Sequence, residues 1–283
     1  MNYYIDTLLG DESKGSPHKF DSKGVMMTKI PYTQDYHYHA TAIASYALTN
    51  ITDKNIFDTH IRWLMNNMEN DGAYRHDFSL PFYNFEKNWV GGLAQGLSIS
   101  ALVRAYHKYN DKTYLESAFK AFNGLRKHCL HKDEGGNYWI KEFPGVSTIL
   151  NGFIYALFGV YDVAKEGDQK AEKLWDQCIS TLVKNLKNYD MNYWSKYDLQ
   201  TGIPATLFYH KIHIEQTKAL ANLTNIEIFQ IFSGKWQQRL DSKYFNFKVK
   251  FKRNVMILKK HGILGTYRTY RLRKNWLRGE EIA

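Results

Sequence analysis

The sequence predicts a mainly α protein, an α/α toroid or incomplete (α/α) barrel with a small β-containing terminal region. Three features point to it. Apolar residues recur at steps of three and four over most of residues 36 to 240. The helices so marked come in pairs joined by short polar turns, and long aromatic loops separate one pair from the next. A single helical hairpin cannot bury its own apolar face, whereas three or four side by side bury a shared one. If the array closes, its long loops gather at one end around a cleft. An open solenoid is the alternative that the same repeat allows.

Residues 1 to 35 are polar and turn-rich, with Gly10, Gly15, Pro17 and Gly24 interrupting any period, and are expected as extended chain or short strands. Helical spacing then begins. Ala42, Ile43, Tyr46 and Ala47 form one stripe, and Ile56, Phe57, Ile61, Leu64 and Met68 a second, with capping residues between them in "NITD". The 20-residue interruption "NDGAYRHDFSLPFYNFEKNW" is long enough to be a binding loop or hairpin. A helix from Gly92 to Tyr109 follows, carrying Leu93, Leu97, Ser100, Ala101 and Arg104, and Asp111 is placed to cap the next. "HKDEGGNYWIKEFP" breaks the pattern before helices at about 148–165 and 169–187, and "NYDMNYWSKYDLQTGIPAT" breaks it again. Helices at about 206–221 and 225–239 close the series, the last with a capping-box spacing from Thr224 to Glu227. Residues 241–283 are expected as a basic, strand-like extension with a turn at Gly262. The domain layout is thus 1–35, a toroid at 36–240, and the extension.

With 283 residues, 44% hydrophobic and 23% charged, the chain can bury a sizeable core. Cys129 and Cys178 both lie in apolar-periodic segments without a CxxC or zinc spacing, so they are expected as packed thiols in a reducing, cytoplasmic setting. The first residues lack a basic start and apolar run, and no stretch approaches about 18 uninterrupted apolar residues, so no integral membrane segment is expected. The net charge of +10 is lopsided: from Lys235 onward 14 basic residues face 3 acidic ones, a net of +11. Such a segment suits an acidic polysaccharide, another acidic surface, anionic lipid, or a subunit face in a homo-oligomer. No zinc-finger or RNP pattern supports a nucleic-acid partner.

Tyrosine is over-used, 21 in all, and several tyrosines fall in the interruptions: Tyr74 and Tyr83, Tyr138, then Tyr193 and Tyr197. Aromatic faces stack on sugars, and phenols also exchange hydrogen bonds; packing is the plainer role for any single one. GxSxG, GxxxxGK[ST] and GxGxxG are absent, which leaves serine-hydrolase, P-loop and dinucleotide chemistry without support. The glycines of "VGGLAQG" begin an apolar helix and suit close helix packing. His37 and His39 lack a nearby set of acidic or cysteine ligands in the sequence, so no metal is expected. The densest polar constellation is "YWSKYDLQTGIPATLFYHKIHIEQTKAL", residues 193–220, in which Tyr209, His213, Gln216 and Leu220 share one side of a helix and His210 is rotated away from His213. That side is either a bonded interior or the wall of a pocket with a proton-exchanging phenol and imidazoles that position it or touch substrate.

Four blocks, "AQGLSISALVRAY" at 94–106, "EFPGVSTILNGFIYALFGVYD" at 142–162, "YDL" at 197–199 and "YHKIHIEQ" at 209–216, resemble the C-terminal helical domain of the D-glucuronyl C5-epimerases in the same order. The resemblance covers most of residues 36 to 222. It implies an α/α toroid, a metal-independent reaction at C5 of a hexuronate without cofactor, and an acidic poly- or oligosaccharide as partner. The family's proton-transfer residues fall on Glu142, Tyr197 and Tyr209. Arg75, Lys141 and Lys196 are loop cations suited to a substrate carboxylate; Tyr83, Tyr138, His210 and His213 are candidate sugar contacts. Two positions depart from the family: Phe143 stands where a tyrosine is usual, and Gln200 where "YDLRH" carries arginine. A uronate lyase, a hydrolase pairing Glu142 with Asp71, Asp77 or Asp198, and a non-catalytic glycan-binding protein are the alternatives.

Overall fold

The computed structural model describes residues 18–30, 35–80, 85–145 and 148–245, with 247–249, 251–252, 255 and 258. The helices are α1 (Ala40–Thr49), α2 (Lys54–Asn66), α3 (Gly92–Tyr109), α4 (Lys112–His128), α5 (Leu150–Lys165), α6 (Gln169–Asn185), α7 (Leu207–Thr224) and α8 (Glu227–Asp241). Short strands flank them: β1 (His18–Phe20), β2 (Met26–Lys29), β3 (Tyr36–His37), β4 (Arg75–His76), β5 (Trp89–Val90), β6 (Leu130–Lys132) and β7 (Tyr138–Ile140). The chain divides into two compact units. A helical unit comprises His18–Thr28 and His37–Asn185; a C-terminal unit holds the chain from Leu186 onward with residues around Lys29 and Tyr36.

In the helical unit α1 and α2, α3 and α4, and α5 and α6 pair as hairpins, while α1 packs on α3 and α3 on α5. Sequence explains which helices lie inside. Almost every residue of α3 and α5 is buried, as an apolar surface all round requires; α2, α4 and α6 bury one face only. Close approach of α3 and α5 needs glycine. A Cβ at Gly96 would lie 2.3 Å from the Ala156 Cα, and one at Gly159 would lie 2.4 Å from the Gly96 carbonyl oxygen. The buried Arg104–Asp162 ion pair, 2.8 Å, ties the same two helices, with the guanidinium also donating to the Ser100 carbonyl. Asp53 and Asp111 cap α2 and α4 by accepting from Ile56 N–H and Thr113 N–H. At the other end the long loops carry the antiparallel pairs β4–β5 and β6–β7. Gln95 pins the first of these loops: it accepts from Tyr74 N–H and donates to the carbonyls of Gly72 and Ala121.

In the C-terminal unit a 3-10 turn, Leu186–Tyr189, leads into a loop whose Trp194 and Ala205 are buried with Tyr193 and Val249. Helices α7 and α8 pack as a hairpin. The expected capping box does not form. Thr224 ends α7, Asn225 takes the left-handed conformation that terminates it, and α8 starts from Ile226 without a side-chain cap. The strand-like extension is also corrected: the described residues from 243 to 258 are helical, and residues 259–283 lie outside the described set.

Candidate active site

Because short turns join α1 to α2, α3 to α4 and α5 to α6, the N-termini of the inner helices face the long loops. The bend 141–145 crosses two of those N-termini. Gly92 N–H, in the first turn of α3, donates to the Lys141 carbonyl at 3.0 Å. Glu142 then turns its side chain onto the first turn of α5, where Gly152 leaves room: a Cβ there would lie 2.0 Å from Glu142 Oε2 and 2.8 Å from its Cδ. Gly91 performs the same service for the backbone, since its Cβ would lie 2.9 Å from the Glu142 carbonyl oxygen. The carboxyl is buried and Oε2 has no hydrogen-bond partner. Loss of water around it pushes its pKa up from 4.5 to about 8, so near neutrality it holds its proton.

Aromatic rings wall the same region. His76 is stacked against His39 at 4.7 Å between centroids and lies 3.9 Å from Trp89, whose indole is 5.6 Å from Phe143. Phe143 also meets Phe85 at 6.0 Å, so a ring without a hydroxyl suits its neighbours. His76 Nε2 is buried without a partner and lies 3.7 Å from where a Gly91 Cβ would stand. Burial keeps the His39 and His76 imidazoles below the usual histidine range, hence neutral.

In the C-terminal unit the polar groups bond to one another. Ser195 Oγ lies 2.7 Å from His210 Nδ1 and 2.8 Å from His213 Nδ1, and His210 Nε2 is 3.2 Å from the Trp236 carbonyl. A carbonyl only accepts, so His210 carries its proton on Nε2 and takes the Ser195 O–H at Nδ1. Ser195 Oγ in turn accepts from His213 Nδ1–H. His213 Nε2 is left as a buried lone pair without a partner. Desolvation holds His213 well below its ordinary pKa and His210 at about 4. Residue spacing on the helix suggested that His210 turns away from His213; the serine, arriving from a distant loop, brings the two to one oxygen. Two residues on, Tyr197 packs against Tyr209 with centroids 4.9 Å apart, both half-buried.

The other sequence candidates are placed as follows. Arg75 is engaged by Glu69 at 2.6 Å and Asp71 at 2.9 Å, which counters its charge. Tyr138 in β7 donates its backbone N–H to Thr181 of α6, with the Lys132 ammonium 5.3 Å over its ring. Lys141 is half-buried beside Glu142, and Lys196 lies in the loop, its N–H on the Tyr189 carbonyl. Tyr83 lies outside the described residues. Sequence reasoning passed over His76, Trp89, Gly152 and Ser195; the only signal for Gly152 was its place in "LNGF", ten residues after Glu142. Among the described residues no group of three or more His, Cys, Asp or Glu gathers to hold a metal ion.

Comparison with known proteins agrees with this layout. The family model described as D-glucuronyl C5-epimerase C-terminus matches residues 68–238. A D-glucuronyl C5-epimerase of Caenorhabditis elegans is 29% identical over 210 residues, which is 62% of this chain and 33% of that protein. The chain therefore spans about a third of that relative's length. Among solved structures, a mutant reducing-end-xylose releasing exo-oligoxylanase aligns with a TM-score of 0.51 at 17% identity, covering 76% of this chain and 64% of that one. A second mutant of an enzyme so described, complexed with xylobiose, aligns with a TM-score of 0.51 at 16% identity over 77% of this chain and 64% of that one. These two likenesses concern the fold, and with them the mainly helical α/α toroid-like class expected from sequence is borne out.

Proposed function

The chain belongs to the D-glucuronyl C5-epimerase C-terminus family, matched over residues 68–238, and from that premise we propose that it is a C5-epimerase converting D-glucuronate to L-iduronate in an acidic poly- or oligosaccharide. The observation that carries the reading is the Glu142 carboxyl: buried, unpartnered at Oε2, and raised to about 8. Epimerisation takes the C5 proton from one face and returns one to the other. A carboxylate whose conjugate acid has a raised pKa is a stronger base than an ordinary one, and a base poised near the working pH is the effective kind. Ionised Glu142 takes the C5 proton, and the C–H electron pair moves into the uronate carboxyl to give an ene-diolate. A phenol returns a proton to the opposite face as that pair goes back to C5, and the family resemblance implies Tyr209 for that role. Solvent then removes the proton from Glu142 and reprotonates the phenolate. Tyr197, against Tyr209, is the alternate donor. Negative charge grows on the carboxyl oxygens between the steps; beside Glu142, Lys141 and the N-termini of α3 and α5 are the groups suited to meet it.

A lyase shares the first step and then expels the C4 oxygen, and the packed Tyr197 and Tyr209 rings, each carrying a phenol that could protonate it, favour this as the second reading. Hydrolysis needs a second free carboxylate. Asp71 is held by Arg75 and His128, Asp198 by Thr201, and Asp77 faces His37. The test is incubation with a non-sulfated glucuronate polymer in deuterated water, read by NMR. Deuterium at C5 with iduronate supports epimerisation, an unsaturated uronate supports the lyase, and absence of exchange on several uronate polymers defeats both. A Tyr209→Phe variant of full activity would remove Tyr209 from the proton path.

A further inference from the structure

Beyond Ser242 the described residues include the most exposed large apolar side chains of the described set. The described residues from 243 to 258 are helical, and Phe245 and Val249 turn inward onto Tyr193, Trp194 and Ala205. The other side is apolar and bare: Tyr244 is 65% exposed, Phe247 72%, Phe251 61% and Leu258 41%. Their spacing of three, four and seven residues puts all four on one helical stripe. Basic residues accompany them. Lys243, Lys248, Lys250, Lys252, Arg253, Lys259 and Lys260 fall within or next to this stretch, and no acidic residue occurs between Asp241 and Glu280. At 3.6 residues per turn, Lys243 borders the stripe on one side and Lys248 and Lys252 on the other. On that second side the Lys248 and Lys252 ammonium groups lie 5.2 and 4.6 Å over the Tyr193 ring.

We propose that this segment is a basic amphipathic helix that seats the protein on an anionic lipid surface, with Phe247, Phe251 and Leu258 entering the interface and the lysines meeting the headgroups. Two features favour lipid over a soluble polyanion. Attraction to a polyanion needs the lysines alone, whereas here three large apolar side chains stand in water on the same stripe. Aromatic residues flanked by long cationic side chains suit the boundary between headgroups and acyl chains, where the rings are buried and the ammonium groups reach the phosphates. No described helix is long and apolar enough to cross a membrane, and none is needed, since the helix lies in the plane of the surface.

The whole chain is mixed with vesicles of phosphatidylcholine alone and of phosphatidylcholine with one part in three of phosphatidylserine, and bound protein is separated by sedimentation. Binding is expected on the anionic vesicles only, weakening as salt screens the headgroups. The double substitution Phe247→Ser and Phe251→Ser, at exposed positions, is expected to lower vesicle affinity about tenfold or more while sparing the fold. It should leave binding to a soluble sulfated polysaccharide unchanged. A single Phe247→Trp reporter should shift its emission to the blue on anionic vesicles. Equal binding to both vesicle types, or full vesicle binding by the double variant, overturns the proposal. Parallel loss of vesicle and polysaccharide binding assigns the face to polyanions instead. Concentration-dependent self-association that the double variant abolishes assigns it to a second copy of the chain.

Discussion

The bend at Glu142 in the helical unit and the network around Ser195 in the C-terminal unit both bury ionisable groups, yet they treat them oppositely. Around Ser195 the hydroxyl and three imidazole nitrogens are joined to one another or to a carbonyl, and only His213 Nε2 is left over. At Glu142 the chain supplies no partner to Oε2 and removes a side chain at residue 152 to keep the space open. A buried polar group without a partner costs stability. Where the fold meets its own polar groups it gains a fixed geometry; where it leaves one unmet beside glycines, it leaves the carboxyl that the proposed reaction uses.

The largest expected effect follows from removing the acid. Glu142→Gln keeps the volume and loses the proton exchange, so C5 deuterium incorporation should fall roughly a hundredfold to ten-thousandfold, the range for general acid–base groups. Stability should move the other way. The native carboxyl, at about 8 against an ordinary 4.5, holds a proton that the unfolded chain releases as pH rises through that window, so native stability declines across it. Glutamine has no such decline, and at pH 8 and above the variant should be more stable, by up to roughly 4 kcal/mol. Thermal unfolding at pH 5 and pH 9 reads this directly. A variant that loses activity and also loses stability at pH 9 would mean that Glu142 has a protein partner, and the contrast with Ser195 would disappear.

Next in size is the comparison of two glycines. Gly152→Ala strikes the Glu142 side chain, hardest at its carboxyl and more gently at its Cβ, 2.9 Å away, and Gly96→Ala strikes the backbone of α5 at Ala156. The first should keep its melting temperature and lose about a hundredfold in exchange, the scale of a misplaced catalytic group. The second should lose about 1–3 kcal/mol by overpacking between α3 and α5. Equal losses of stability would make Gly152 a packing residue like Gly96. Pairing Gly152→Ala with the shorter Glu142→Asp should recover part of the exchange lost by Gly152→Ala alone.

Ser195→Ala sharpens the other side. It removes the oxygen that both histidines share, and should cost about 1–3 kcal/mol of stability, the penalty for stranding buried donors and acceptors. Exchange should fall less than in Glu142→Gln. In the Glu142→Gln background, where the opposing carboxyl titration is gone, the protein should lose stability as pH drops below the ordinary histidine value of 6.5 toward 4, because the unfolded chain takes up protons that buried His210 and His213 refuse. In Ser195→Ala that acid dependence should persist, since the imidazoles remain buried. A flat stability profile between pH 6.5 and 4 would contradict their neutral, internal role.

How much of this was legible follows from distance along the chain. The helix Gly92–Tyr109 could be read to its ends, because apolar period and terminal residues are local signals. Glu142 stood out only through the family resemblance, and nothing local announced that Gly152 clears its place. Ser195 meets histidines 15 and 18 residues away across a loop, a pairing that no period encodes. The last helix misled for a physical reason: Tyr244, Phe245, Phe247, Val249 and Phe251 are strand-favouring residues, while their three- and four-residue spacing and the burial of Val249 are helical. Thr224 and Glu227 have the spacing of a capping box, yet the left-handed Asn225 stops one helix before the next begins.

The smallest expected effect concerns Phe143, the position where the family usually carries tyrosine. Its ring meets Trp89 and Phe85, and the change to tyrosine adds one hydroxyl at a half-buried site. Stability should stay within about 0.5 kcal/mol, as for a substitution that neither empties nor overfills a core. Exchange should change by less than about threefold, because the proposed reaction already has its base in Glu142 and does not call on a phenol at residue 143. Both quantities come from one preparation, by thermal unfolding and by deuterium incorporation. A gain of tenfold or more would show that a phenol beside Glu142 carries protons better than Tyr209 does. Both carriers would then belong to the helical unit, and the C-terminal unit would keep only its structural network.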